Sequence, residues 1–258
     1  MKADPGGFLD LLGARSGIVC AVGAGGKKST LYRLALAHRE LGTARIALTT
    51  TVMTAPPPAS LAAERLLAGP EELRRQLPLL AERHPLLAYA QPSPKPGRLG
   101  GVAPDLVASL HVAGTFSVTL VKADGARMRL IKAPAPDEPV LPPGVATLLP
   151  LVSARVFGRA LDETIAHRPE RVAAVTGAAP RERIGPGHVA RLLASGQGGL
   201  RHAGEALVVP VINMVDDRAR LGLARQAARE ALTLTRRFDR VVLAAMTAPE
   251  PIVEVVAR

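Results

Sequence analysis

The stretch Gly17-Ile18-Val19-Cys20-Ala21-Val22-Gly23-Ala24-Gly25-Gly26-Lys27-Lys28-Ser29-Thr30-Leu31-Tyr32-Arg33-Leu34-Ala35-Leu36-Ala37 decides the fold. Its first six residues are an apolar run of the kind that forms a buried strand. From Leu31 onward, apolar residues recur at three- and four-residue spacing, which predicts a helix. Strand, glycine loop, lysine, hydroxyl and helix in that order is the layout of a phosphate cradle. Glycines let backbone N–H groups turn inward without Cβ clashes. The free N–H groups and the dipole of the helix N-terminus favour an anion, and Lys27 adds a full charge against the outer phosphates. Gly23, Ala24, Gly25, Gly26, Lys27, Lys28, Ser29 and Thr30 are therefore the candidate nucleotide-binding residues.

The long form of such a loop needs Gly five positions before Gly26, and Ala21 stands there. The shorter form Gly23-x-x-Gly26-Lys27 is present, and it resembles the phosphate loop of Mur-ligase-type ATPases. A glycine-rich strand-to-helix turn with two solvated lysines is the plainer alternative.

Working outward, Ala44 to Leu48 reads as a second strand ending in Thr49-Thr50-Thr51. Hydroxyls at that end would face the ligand crevice of a parallel sheet, or would simply suit a strand end. Residues 59–83 read as helical with a break at Gly69-Pro70, and Leu86 to Ala90 as a short strand. A Pro- and Gly-rich loop follows, then a short helix from Pro104 to His111. Phe116 to Val121 is a strand that runs into Asp124, where a carboxylate holding Mg²⁺ directly or through water would sit. Asp124-Gly125 is equally a common turn. Met128 to Lys132 suggests a hairpin return, and Val145 to Val152 a further apolar strand. Phe157 to Asp162 looks like a turn into a helical segment, and Pro169 opens a short helix after His167. The spacing predicts a helix over 185–194, a strand over 206–212, a long helix over 218–237, and closing strands over 241–245 and 252–256. Asn213 and Asp216 follow the strand over 206–212 as Asn-x-x-Asp, a pattern found both at guanine-reading corners and at helix caps.

Strands alternating with helices imply an α/β fold with a doubly wound, mainly parallel sheet of the P-loop NTPase type. We expect one domain over 1–258, with the proline-rich region around 91–145 as a candidate small insertion. The 258-residue chain is 48% apolar but only 2% aromatic, so its core must be Leu, Val, Ile and Ala. Net charge is +11, yet the basic residues are scattered and six Tyr and Phe in all offer little for stacking bases, which weighs against nucleic acid. One cysteine rules out an internal disulfide framework. No apolar run spans a bilayer and Met1 to Gly7 lacks the order of a signal peptide, so a cytoplasmic protein is expected.

Six stretches resemble the YqeC family in order along the chain. They are Val22 to Lys27, Leu48 to Thr51, Ala123 to Arg127, Leu130 to Pro134 with Glu138-Pro139-Val140, His167 to Val172, and Val211 to Asp216. That family is described as accessory proteins of selenium-dependent molybdenum hydroxylases. The resemblance implies a nucleotide-binding protein, using ATP or GTP, that helps mature the hydroxylase or its molybdopterin cofactor. Such a hydroxylase or a cofactor-maturation protein would be the partner. From their places in the sequence, Lys27 and Asp124 are the candidate catalytic residues, and Asp124 with Ser29 the candidate Mg²⁺ ligands.

Three departures stand out: Lys28 in place of Thr after the loop lysine, Lys122 in place of Glu before Ala123-Asp124-Gly125, and Met214 in place of Lys between Asn213 and Asp216. The first two weigh against metal binding and hydrolysis, and the third against base recognition. Two ammonium groups near the phosphates would supply about the charge of a missing cation. Nucleotide binding with little dependence on Mg²⁺ and slow or absent hydrolysis is therefore expected, unless Ser29 or Thr30 takes over the metal. A non-hydrolysing cofactor carrier and a Mur-ligase-like small-molecule kinase or ligase are the competing readings.

Overall fold

The computed structural model describes Asp4 to Arg258; the part of the leader expectation that rests on Met1 to Ala3 lies outside the described residues. In chain order the elements are α1 (Pro5–Leu11), β1 (Gly17–Gly23), α2 (Lys27–Glu40), β2 (Ile46–Thr50), β3 (Glu64–Leu67), α3 (Pro70–Ala81) and β4 (Leu86–Ala90). Then come α4 (Pro104–Ala113), β5 (Val118–Lys122), β6 (Ile131–Lys132), β7 (Val145–Ser153), β8 (Ala166–His167), α5 (Pro169–Thr176) and α6 (Pro186–Ala194). The last are β9 (Leu207–Val208), β10 (Val211–Asn213), α7 (Arg218–Leu234), β11 (Arg240–Ala244) and β12 (Ile252–Ala257).

Ten strands form one sheet in the order β12-β11-β10-β7-β1-β5-β2-β4-β3, with β9 also paired to β7. Every pairing in it is parallel except β11 with β12. The strands are apolar on both faces because helices cover both. Along β1 the side chains alternate: Ile18, Cys20 and Val22 pack with Leu73, Leu106, Val189 and Ala228 from α3, α4, α6 and α7. Val19 and Ala21 pack the other way with Phe8 and Leu9 of α1 and Leu31, Leu34 and Ala35 of α2. This is the doubly wound, P-loop-type α/β architecture, built on the aliphatic core the composition requires. The crevice at the C-terminal ends of β1, β5 and β7 is where such sheets bind ligands.

Several local expectations change. Residues 64–67 form an edge strand parallel to β4, not part of a helix: backbone pairing to Leu87 through Ala90 outweighs the helix propensity of Glu64-Arg65-Leu66-Leu67. Met128 to Lys132 is no hairpin; β6 crosses to pair in parallel with β8 in a separate two-stranded sheet. Phe157 to Asp162 stays a turn and opens no helix. The strand expected over 206–212 is split into β9 and β10, because Pro210 lacks the N–H a continuous ladder needs. The region 91–145 contributes α4 and β5, and β5 lies between β1 and β2. Cys20 is fully buried in β1.

Candidate functional site

The loop after β1 is built by its glycines. Gly25 and Gly26 hold φ of 85° and 118°, which L side chains rarely adopt. A Cβ on Gly25 would press on Ser153, and one on Gly26 would stand on Nδ2 of Asn213. The Ala24 amide donates to Leu151 O at 2.9 Å, which docks the loop on β7. Gly26 occupies the N-cap of α2, and no side chain caps that helix. The first amides of α2 have no intrahelical acceptor, and among the described residues those of Gly25 and Gly26 donate to no protein acceptor either. The loop is thus a concave run of open donors at the positive end of a fourteen-residue helix.

Behind this cradle lies a buried ladder of alternating charges. The Gly23 amide donates to Oδ2 of Asp124 at 2.9 Å. Lys27 Nζ donates to Gly23 O and lies 2.8 Å from Asp124 Oδ1. That ion contact is off the hydrogen-bond direction, so Oδ1 itself accepts no hydrogen bond. Lys132 Nζ lies 3.0 Å from Asp124 Oδ2 and 2.8 Å from Glu138 Oε2, and donates to Gly125 O at 2.6 Å. Arg168 closes the series on Glu138 at 2.7 Å. Lys27, Asp124 and Lys132 have side chains 6%, 1% and 0% exposed. Burial pushes the Lys27 ammonium below the ordinary lysine value, against the pull of Asp124. Burial alone would raise the Glu138 carboxyl, but Lys132, the Ala135 amide and Arg168 outweigh it and hold Glu138 at about 2.

These residues do not fit Mg²⁺. Both Asp124 oxygens face ammonium groups, and a divalent ion prefers carboxylate and water oxygens free of such neighbours. The Thr30 hydroxyl is turned back to Gly26 O at 3.1 Å. Ser29 makes no side-chain hydrogen bond among the described residues. No group of three His, Cys, Asp or Glu side chains suited to a metal occurs among the described residues.

On the β7 and β10 side, Asn213 acts on the loop itself. Its Nδ2 donates to Gly25 O at 2.8 Å and its Oδ1 accepts from the Met246 amide at 3.0 Å. Met214 lies beside it, with its sulfur accepting from the Ser153 hydroxyl at 3.0 Å. Asp216 is held by Arg155 at 2.6 Å, with Arg220 at 3.7 Å. The residue that caps α7 is Asp217, which accepts from the Arg220 amide. Asn213 is therefore joined to the cradle, while Asp216 is engaged at the surface.

The threonines ending β2 serve the backbone. Thr49 donates to Tyr89 O, Thr50 to Lys122 O and Val52 O, and Thr51 to Val140 O. Reading single motifs misses Lys132, Glu138 and Arg168, although all three lie in the stretches that carried the resemblance. Arg168, Arg171 and Arg201 also pin the proline-rich segment after β6, through Glu138, Pro134 O and Pro136 O.

Two predictions follow from this geometry. Gly26→Ala must strain the backbone and displace Asn213, at a cost of about 1–3 kcal/mol or more in denaturant unfolding; an unchanged midpoint contradicts the packing described. Glu138 has its folded pKa below the ordinary 4.5, so its stabilising contribution is present above that pH and is lost as pH falls toward 2. Glu138→Gln is expected to lower stability near neutral pH by about 1–3 kcal/mol and to flatten the acid loss. Parallel acid-unfolding curves for the two proteins would contradict this.

Residues 19–170 match the family model described as YqeC protein. The chain is also 25% identical over 205 residues to "Uncharacterized protein YqeC" of Escherichia coli (strain K12), covering 77% of each chain. The matched region runs from β1 through the cradle, Asp124, Lys132 and Glu138 to Arg168, and on this evidence the chain belongs to the YqeC family.

Proposed function

We propose that this chain binds a nucleoside triphosphate with its phosphates in the Gly23–Thr30 cradle, without requiring Mg²⁺, and turns it over slowly or not at all. The observation that carries this reading is the uncapped start of α2, where open amides meet a surplus of cation. Lys27, Lys132 and Arg168 outnumber Asp124 and Glu138 in the ladder. Lys28 and Lys122 have no carboxylate partner among the described residues, and Lys28 belongs to the first turn of α2 directly after the loop lysine. A polyphosphate complements that surplus where a divalent cation would add to it.

Lys27 has one act to perform. Its ammonium leaves Asp124 Oδ1 and Gly23 O and turns to a phosphate oxygen. The Gly23 amide and Lys132 stay with Asp124, so the carboxylate is not left as a lone buried charge. With Asp124 so engaged, no carboxylate in the ladder is free to orient an attacking water, which supports slow turnover. Asp216 is engaged by Arg155 and so is not offered to a guanine edge, and the ligand class is ATP or GTP. Family membership supports an accessory-type role; that it serves the maturation of a selenium-dependent molybdenum hydroxylase or its cofactor is part of this proposal, and turnover assays with and without such a hydroxylase address it.

The test is calorimetric titration with ATP and with GTP, in Mg²⁺ and in excess chelator. Both nucleotides are expected to bind with similar affinity, to bind nearly as well in chelator, and to lose about tenfold or more on Lys27→Ala. Failure of both nucleotides to bind overturns the reading, and a strong Mg²⁺ requirement overturns its metal-free form.

A further inference from the structure

A cavity of about 270 Å³ lies beside the cradle, between α2 and the C-terminal ends of β2, β4 and β3. Its walls are apolar: Leu31 and Tyr32 from α2, Leu48 and Ala88 from the sheet, and Pro56 and Pro57 from the segment after β2. Three cations reach it, namely Lys28, Lys122 and Arg65, and no Asp or Glu lines it. Lys28 belongs to the first turn of α2 and Lys122 stands in register with Ala21 of β1 and Thr50 of β2. Both therefore lie where the cavity meets the cradle. Lys122 is half-buried, and its one polar contact is Met53 O at a long 3.4 Å. Arg65 donates to Pro57 O and pairs with no carboxylate among the described residues.

An apolar chamber ringed by unneutralised cations is unfavourable unless something completes it. We propose that this cavity binds a second small molecule, an anion whose carboxylate, sulfonate or phosphate meets Lys122 and Lys28 while a flat or branched apolar body fills the space against Leu48 and Ala88. This goes beyond nucleotide binding in the cradle and does not depend on it. If both sites are filled, the anionic group of the second ligand lies next to the nucleotide phosphates, the arrangement of a two-substrate site.

The probe is 8-anilinonaphthalene-1-sulfonate, a flat apolar anion, titrated by fluorescence into the folded full chain with thermal melts as a control on folding. One saturable site per chain is expected. Lys122→Gln and Lys28→Gln should weaken it, Lys122→Gln by about tenfold. Ala88→Leu, which fills the chamber, should abolish it. Ala88→Leu should leave nucleotide binding in the cradle unchanged, so loss of nucleotide binding and loss of this site are read separately. Absence of a saturable site, or affinity indifferent to both Lys122→Gln and Ala88→Leu in folded protein, overturns the proposal. So does displacement of the probe by adenosine or guanosine without phosphates, which would make the chamber the pocket of the nucleotide's own base.

Discussion

Asp124 is a carboxylate held almost wholly out of water, and an isolated charge there would cost several kcal/mol. The chain meets it from three directions. The Gly23 amide comes from the end of β1, Lys27 from the first turn of α2, Lys132 from β6, and the Asp124 backbone itself extends β5. Because Lys132 is buried too, it needs a second anion, and Glu138 supplies it; Glu138 in turn draws in Arg168. Each burial creates the demand that the next residue meets, until Arg168 reaches solvent. A proline-rich segment that would otherwise lie loosely over the sheet is fastened by this series.

That series accounts for what could and could not be read from the sequence. The β1 to α2 unit was legible because a buried strand, a glycine turn and a helix start each leave a local signature, and Gly23, Gly25, Gly26 and Lys27 fall where those signatures require. The alternation of strands and helices was legible for the same reason, and with it the parallel sheet. Tertiary pairing was not. Lys132 reads locally as a polar end to an apolar pair, and only the crossing of β6 to β8 brings it beneath Asp124. Glu64 to Leu67 has helix-forming residues and becomes a strand because an edge of β4 is open to it. Asp216 and Asp217 are neighbours with the same chemistry, and the position of Arg155, about sixty residues away, decides which is an ion-pair partner and which a cap.

The two flanks of the cradle are finished differently. Toward β7 and β10, Asn213 bridges the Gly25 carbonyl and the Met246 amide, Met214 meets Ser153, and Asp216 closes on Arg155. Every polar group named there has its partner, which rigidifies the loop and leaves it a single shape. Toward β5 and β2, the threonine hydroxyls are likewise turned to the backbone, but Lys28, Lys122 and Arg65 are left with no carboxylate and face an apolar chamber.

Charge placement of this kind decides what the crevice can hold. The ladder below the cradle has one cation more than it has carboxylates, and its internal pairing spends most of its charge on fixing geometry. The free positive charge is instead at the start of α2 and on its β5 side, where open amides and two ammonium groups meet. Two such cations repel one another, and more strongly beside an apolar wall than in open water. Their tolerance in the folded chain requires water or an anion between them. Water reaches the cradle readily but is a poor occupant of a chamber walled by Leu31, Leu48, Ala88 and two prolines. The physical demand on that flank is therefore for an anionic group on an apolar body, whereas the demand of the cradle is for phosphate oxygens alone. These are different molecules or different parts of one molecule, and the boundary between them runs along Lys28 and Lys122.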